Sequence, residues 1–382
     1  MERARVPGLG SVGRRRGGIF ELAALAVLVP LAGLIAAQPE ARLERIALVI
    51  GLAVATLARN RESLFQSECA LKLLWVMGGA LAFSCAGLEL LILATGTSEP
   101  TEQWAVLEMG LDPRFLWSTA LPLSLLIGLV LLGGAPFHFW AADLFQGTRP
   151  WLAPLIVAAL QVSGGIWVAQ RLSGIESFPP AARAIGYQLE VAAFVALLAG
   201  AVTLAIQRRP ERRVGTLASL NGALVLAAIA ATHSRAGVAH GPWAIGPWAG
   251  HLTLALAGAG VLACFAQTST GASAAGPVLF RRHPWTGIAG LFALASLAGV
   301  PGTPGARLWL ELARSLASAG KTWTLLALGA AWLSAFGAAV RQAHEGFGAT
   351  GSAPPPERSV PWQARAAIWI PALGLLALYA MR

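Results

Sequence analysis

The sequence predicts an all-α, polytopic integral membrane protein of about eleven transmembrane helices, one of them broken, and three observations carry that prediction. The 382 residues are 56% hydrophobic and only 12% charged, whereas a soluble domain carries roughly 25% charged residues to coat its surface. The apolar residues gather into a series of runs, most of them near the ~20 residues a helix needs to cross ~30 Å of hydrocarbon. The basic residues behind the net charge of +10 sit in short clusters between those runs. That pattern orients a membrane protein and differs from the continuous basic face of a nucleic-acid binder. A soluble enzyme and a disordered chain are thereby excluded, nucleic acid is not an expected partner, and the lipid bilayer is the expected surroundings.

In chain order the candidate spans are 19–37, 44–58, 70–96, 115–134, 151–170, 184–207, 214–232, 246–267, 285–300, 322–340 and 363–380. The second is short, so it either extends into its Arg flanks or is not a full span. The first follows Arg14-Arg15-Arg16 and ends on Ala36-Ala37 in the manner of a secretion signal; Glu21 inside the run and the lack of a soluble domain to export favour a retained first span. Residues 301–320 read differently. Pro301-Gly302-Thr303-Pro304-Gly305 breaks a helix, and Arg307 to Ala319 has amphipathic rather than uniform apolar spacing. The stretch 285–320 is therefore one discontinuous helix, which at membrane depth is tolerated only when buried in protein or lining a cavity. The organisation is a basic N-terminal segment, 1–18, followed by a single transmembrane domain, 19–380.

Charge sets the orientation. Arg3, Arg5 and Arg14 to Arg16 at the N-terminus, Arg208-Arg209-Pro210-Glu211-Arg212-Arg213, and Arg281-Arg282 fall on one side of an eleven-span chain. The acidic stretch with Glu99, Glu102, Glu108 and Asp112 falls on the other. This places the N-terminus in the cytoplasm. Trp104, Trp140, Trp151, Trp243, Trp248, Trp285, Trp323 and Trp362 lie near span ends and read as interfacial anchors. Cys69, Cys85 and Cys264 show no C-x-x-C pairing; Cys85 and Cys264 read as small hydrophobes within apolar runs, and no metal site or disulfide framework is expected.

Two segments are more specific than composition. Gly133-Gly134-Ala135-Pro136-Phe137-His138-Phe139-Trp140-Ala141-Ala142-Asp143-Leu144-Phe145-Gln146-Gly147 resembles the G-x-x-P-F-H-x-W-x-x-D-x-[YF]-x-G signature of subunit N of bacterial NADH:quinone oxidoreductase (complex I). Ser296-Leu297-Ala298-Gly299-Val300-Pro301-Gly302-Thr303-Pro304-Gly305 resembles S-L-A-G-I-P-x-T-x-G at that family's broken twelfth helix. Two looser likenesses fall in order around them. Ser67 to Lys72 is similar to the opening of the family's sixth helix, and Arg212 to Asn221 to its K-R-x-x-x-Y-S-S-I-x-H segment. The resemblance spans about 67–310 and implies an antiporter-like fold lacking the first three helices of fourteen. It further implies the bacterial inner membrane, no cofactor in this chain, and partners among the other membrane subunits of a complex-I-like respiratory or hydrogenase-type assembly.

The resemblance also implies proton movement through buried ionisable side chains, and here the chain departs from it. Burial lowers a lysine's pKa toward neutrality so that it loads and releases a proton, whereas a guanidinium stays charged. The family's seventh-helix lysine corresponds to Leu131, the eighth-helix lysine to Gln161 and the twelfth-helix lysine to Trp309. The fifth-helix glutamate corresponds to Ala53, or to Ala47 with Glu44 one turn away. Only two of the 28 basic residues are lysines, Lys72 and Lys321, each at the start of a span.

The other ionisable or polar candidates for a proton path are Glu89, Glu190, His138, Asp143, Asn221, His251 and Arg307. Glu89 lies well inside the third span and is read equally as a buried proton carrier or as an interfacial group. Glu190 lies within two turns of Arg183, which makes an interfacial ion pair the preferred reading. His138 and Asp143 are read as fixing the signature loop, and Asn221 hydrogen-bonds but carries no proton at neutral pH. No nucleophile–base pair or phosphate loop appears, so no catalytic residue is assigned. The sequence thus predicts a subunit-N-like membrane subunit with degenerate proton-translocation residues and a structural or coupling role. The alternative is an active proton or cation transporter, Mrp-like or of an inorganic-carbon uptake system, using a different residue set.

Overall fold

The computed structural model describes residues 42–59, 64–109, 116–148, 152–233, 245–267, 283–347 and 362–380. The first expected span, 19–37, lies outside the described residues, as do Trp151 and Trp243. Thirteen α-helices and no strand occur among the described residues. They are α1 (Arg42–Ala58), α2 (Leu64–Thr95), α3 (Pro100–Glu108), α4 (Leu121–Leu131), α5 (Phe139–Gly147), α6 (Leu152–Arg171), α7 (Pro179–Ile206), α8 (Pro210–His233), α9 (Ile245–Gln267), α10 (Pro284–Leu297), α11 (Pro304–Ser318), α12 (Thr322–Phe347) and α13 (Trp362–Ala380). Ten of the eleven expected spans coincide with one of these helices.

Five helices are long and apolar enough to cross a bilayer, namely α2, α6, α7, α8 and α12. Their burial ranks them. The apolar window of α8 is wholly buried, that of α6 78%, and those of α7, α12 and α2 only 39%, 39% and 28%. The bundle is therefore organised around α8, with α7, α12 and α2 turning apolar faces outward. Tyr187, Val191, Val195, Leu198, Val202 and Ile206 recur at near-helical spacing on the outward stripe of α7, as lipid-facing residues do in a multi-pass membrane protein.

Two helices are broken, where the sequence predicts one. The expected break is present: α10 ends at Leu297 and α11 begins at Pro304. A second break of the same construction separates α4 from α5. Each begins with a glycine in the left-handed region, Gly133 at φ 77° and Gly299 at φ 69°. Each closes with the paired bonds of a Schellman motif. Gly133 N–H donates to Val130 O and Gly134 N–H to Leu129 O; Gly299 N–H donates to Ser296 O and Val300 N–H to Ala295 O. A proline follows within three residues in both, Pro136 and Pro301, so neither helix can simply resume.

Glycines let α8 press against both the first break and α5. A Cβ at Gly222 would overlap the carbonyl of Leu132, and one at Gly215 would overlap the backbone of Ala142. The carbonyl that ends α4 and the start of α5 are thus held against α8, whereas Pro136, Pro301 and Gly302 of the two breaks are exposed.

Candidate functional site

A strip of buried polar groups connects the two breaks through α8. Ser219 Oγ donates to His138 O in the first break at 2.9 Å. Two residues along α8, Asn221 Nδ2 donates to Leu297 O, the last carbonyl of α10, at 2.9 Å. Gln161 on α6 donates to Ala218 O at 3.0 Å and reaches Leu132 O at 3.4 Å. On the far side of the second break, Trp332 of α12 donates to Gly299 O at 2.8 Å. His251 of α9 meets Ser296 Oγ at 2.9 Å, and Ser296 Oγ also accepts from Gly305 N–H at 3.1 Å. Carbonyls that a helix break would leave open are in this way capped by neutral side chains.

The four positions that the sequence reading sets against ionisable residues are all buried and all uncharged. Ala53, Leu131, Gln161 and Trp309 are each fully covered. Trp309 stacks on Trp332 with ring centroids 5.8 Å apart and packs on Gly299. Ala47, the alternative to Ala53, is half-buried, and Glu44 on the next turn is exposed. Several polar atoms of the strip nonetheless have no partner: Gln161 Oε1, Asn221 Oδ1, His251 Nδ1, His138 Nδ1 and Trp309 Nε1.

The remaining candidates lie away from the strip. Glu89 is on the outward face of α2. Lys72 pairs with Glu68 at 2.7 Å and with Asp143 at 3.5 Å, and Asp143 also pairs with Arg212 at 3.1 Å. With the Cys69 thiol donating to Asp143 O at 3.3 Å, that cluster ties the starts of α2 and α8 to α5. His138 places Nε2 3.3 Å from Thr203 Oγ1. Arg307 lays its guanidinium 4.4 Å over the Tyr379 ring.

Two expectations are corrected. Glu190 pairs with Lys321 at 2.6 Å and accepts from Thr324 at 3.3 Å, not with Arg183, which instead donates to Pro179 O. The pair ties α7 to the start of α12, a contact that local sequence spacing does not reveal. Trp104, Trp140 and Trp248 are buried rather than interfacial; their indole N–H groups donate to Ser173, Val130 and Asn221 carbonyls. Trp285, Trp323 and Trp362 are exposed near helix ends. Cys85 is exposed on the apolar α2, which accords with its reading as a small hydrophobe.

The sequence reading missed the clamp formed by Arg213, a buried guanidinium at the start of α8. It donates to Gln342 Oε1 and Glu345 Oε2 at 3.0 Å, to Glu345 Oε1 at 2.5 Å and to Arg208 O at 2.7 Å. The only sequence signal was its place in an arginine cluster. Among the described residues no group of three or more His, Cys, Asp or Glu is positioned to hold a metal ion.

Comparison with solved structures gives this fold its relatives. The fold is that of antiporter-like membrane subunits. It matches a chain of respiratory complex I from Thermus thermophilus (TM-score 0.73, 21% identity, 95% of this chain and 81% of that one). It also matches a chain of the archaeal membrane-bound sulfane sulfur reductase (TM-score 0.68, 16% identity, 89% and 68%). A chain of the Mrp complex from Dietzia sp. DQ12-45-1b gives a TM-score of 0.68 at 15% identity, over 95% and 80%.

Within that class the sequence is similar to NADH-quinone oxidoreductase subunit N. The Gemmatimonas aurantiaca protein of that name is 36% identical over 115 residues, 29% of this chain and 21% of the relative. The Cupriavidus taiwanensis one is 29% identical over 161 residues, 41% and 32%. The matched segments thus span about a fifth to a third of those relatives' length. No protein-family model matches the chain.

Proposed function

We propose that this chain is a subunit-N-like membrane subunit of a complex-I-like assembly, packed among other membrane subunits, whose part is structural or coupling rather than proton-translocating. The observation that carries the reading is the replacement of four ionisable family positions by buried Ala53, Leu131, Gln161 and Trp309. A relay needs groups that take up and release protons near neutral pH; in the strip only His138 and His251 carry an ionisable side chain, and amide, hydroxyl and indole groups lie between them. The charged side chains that would otherwise serve are engaged in ion pairs between helices, lie over an aromatic ring as Arg307 does, or, like Glu89, face outward. The reading places the chain in the bacterial inner membrane with a cytoplasmic N-terminal segment, supported by the arginine clusters that eleven spans bring to one side. It also treats 19–380 as one transmembrane domain.

The test is the proton-to-electron stoichiometry of the purified assembly with Glu89→Gln and Glu190→Gln in this chain. Unchanged stoichiometry is expected. A large loss of pumping with redox turnover retained would overturn the reading, as would proton or cation flux through the chain reconstituted alone in liposomes.

A further inference from the structure

The outward face of α7 changes character where the helix ends. Val195, Leu198, Val202 and Ile206 are exposed along one strip. The rise from the first of them to the last is about 16 Å, close to one leaflet of a ~30 Å hydrocarbon core. Of the exposed positions between 195 and 206 only Ala205 is small. Such bulky aliphatic side chains suit a fluid acyl chain. Close approach of a partner helix favours small residues instead, as α2 exposes at Gly79, Ala82 and Ala86.

Directly beyond Ile206 the surface turns cationic. Arg208 and Arg209 are exposed in the turn that leads into α8. The carboxylates nearby are engaged or turned inward: Asp143 pairs with Arg212, Glu345 pairs with Arg213, and Glu211 is buried. Among the described residues no ion pair takes up Arg208 or Arg209. The last carbonyls of α7 form the negative end of that helix and would repel an anion. Arg341 of α12 covers them, donating to Leu204 O at 2.8 Å and to Ala205 O at 3.0 Å. An apolar strip one leaflet long therefore ends on two arginines without a counter-charge. We propose that one anionic phospholipid docks here, its phosphodiester held by Arg208 and Arg209 and an acyl chain laid along the 195–206 strip of α7. The planar fork of arginine matches two phosphate oxygens. The strip accepts any acyl chain, so the arginines set the choice of headgroup by attracting net negative charge at the bilayer surface. The inference needs only that the chain lies in a bilayer, and it does not depend on whether the chain moves protons.

The test uses the purified membrane assembly containing this chain, in phosphatidylcholine nanodiscs doped with phosphatidylglycerol that carries a photoactivatable diazirine on its acyl chain. Peptide mass spectrometry after irradiation locates the label, which is expected on the 195–206 segment. Phosphatidylcholine bearing the same diazirine should label that segment about tenfold less. Changing both arginines, Arg208→Gln with Arg209→Gln, should bring phosphatidylglycerol down to the phosphatidylcholine level. Arg183→Gln, an exposed arginine at the opposite end of α7, should leave it unchanged. Should the double variant prevent assembly, Val202→Trp obstructs the strip with both arginines in place and should lower the label in the same sense. No label on 195–206, the result if another subunit covers this face, would overturn the proposal. So would equal labelling by the two lipids, or equal losses in the Arg183 variant and the double variant.

Discussion

Gly222→Ala tests the packing of α8 against the first helix break. An added Cβ would stand 2.8 Å from the carbonyl carbon of Leu132 and overlap its oxygen. Neither partner yields easily. Leu132 caps α4 within a Schellman turn, and α8 is buried on every side. The two backbones must part by roughly an ångström, a gap that forfeits a quarter to a half of each contact's attraction along the seam. Overpacking of this kind costs about 1–3 kcal/mol or more, and a strained Gln161–Leu132 hydrogen bond adds about 1 kcal/mol. The better helix propensity of Ala returns about 1 kcal/mol. The expected net loss is therefore about 1–3 kcal/mol.

Gly329→Ala on α12 is the matched control, since nothing lies within 4 Å of its added Cβ and only the propensity gain should remain. Both variants would be unfolded by titrating SDS into mixed micelles, with tryptophan fluorescence as the probe. Equal stabilities for Gly222→Ala and Gly329→Ala would refute the reasoning.

Three further outcomes are expected. Asn221→Leu leaves the Leu297 carbonyl without its side-chain donor and should destabilise the chain by about 2 kcal/mol in the same titration. Arg213→Ala removes five hydrogen bonds between α8, α12 and the 207–208 backbone; it should lower the thermal midpoint of the assembly more than Arg209→Ala, whose side chain is exposed. Lys321→Met and Glu190→Gln should each destabilise, while the double variant loses less than the sum of the two, because each single change strands a partly buried partner. Additive losses in that cycle would show that the pair contributes nothing.

The fold was legible wherever chemistry was local. Apolar runs announced the helices, and Gly299 with Pro301 and Pro304 announced the second break. Gly133-Gly134-Ala135-Pro136 carries the same glycine-then-proline chemistry, yet the sequence reading places only the end of a span there, at 134, and not a break after which a helix resumes at Phe139. Trp140 was misread for that reason. It stands at the end of a span in the sequence but across a break in the bundle, where it donates to the carbonyl of Val130. Glu190 shows a different limit. Arg183 is seven residues away and Lys321 is 131, and helical spacing favours the nearer partner although tertiary packing joins the farther one. The candidate site was legible through its substitutions, since Leu131, Gln161 and Trp309 follow directly from the motifs. The capping roles of Ser219, Asn221 and Trp332 depend on which helices meet, which one sequence does not state.

The hydrogen bonds from Ser219 and Asn221 to opposite breaks leave those two anchor points only about 3 Å apart along the axis of α8. A rigid rod gripped so closely at two places acts as an axle. If one interrupted helix slides, α8 must slide or roll with it, and the other interrupted helix feels the displacement at once. Mechanical linkage between the halves of the bundle therefore requires no titrating group along the way.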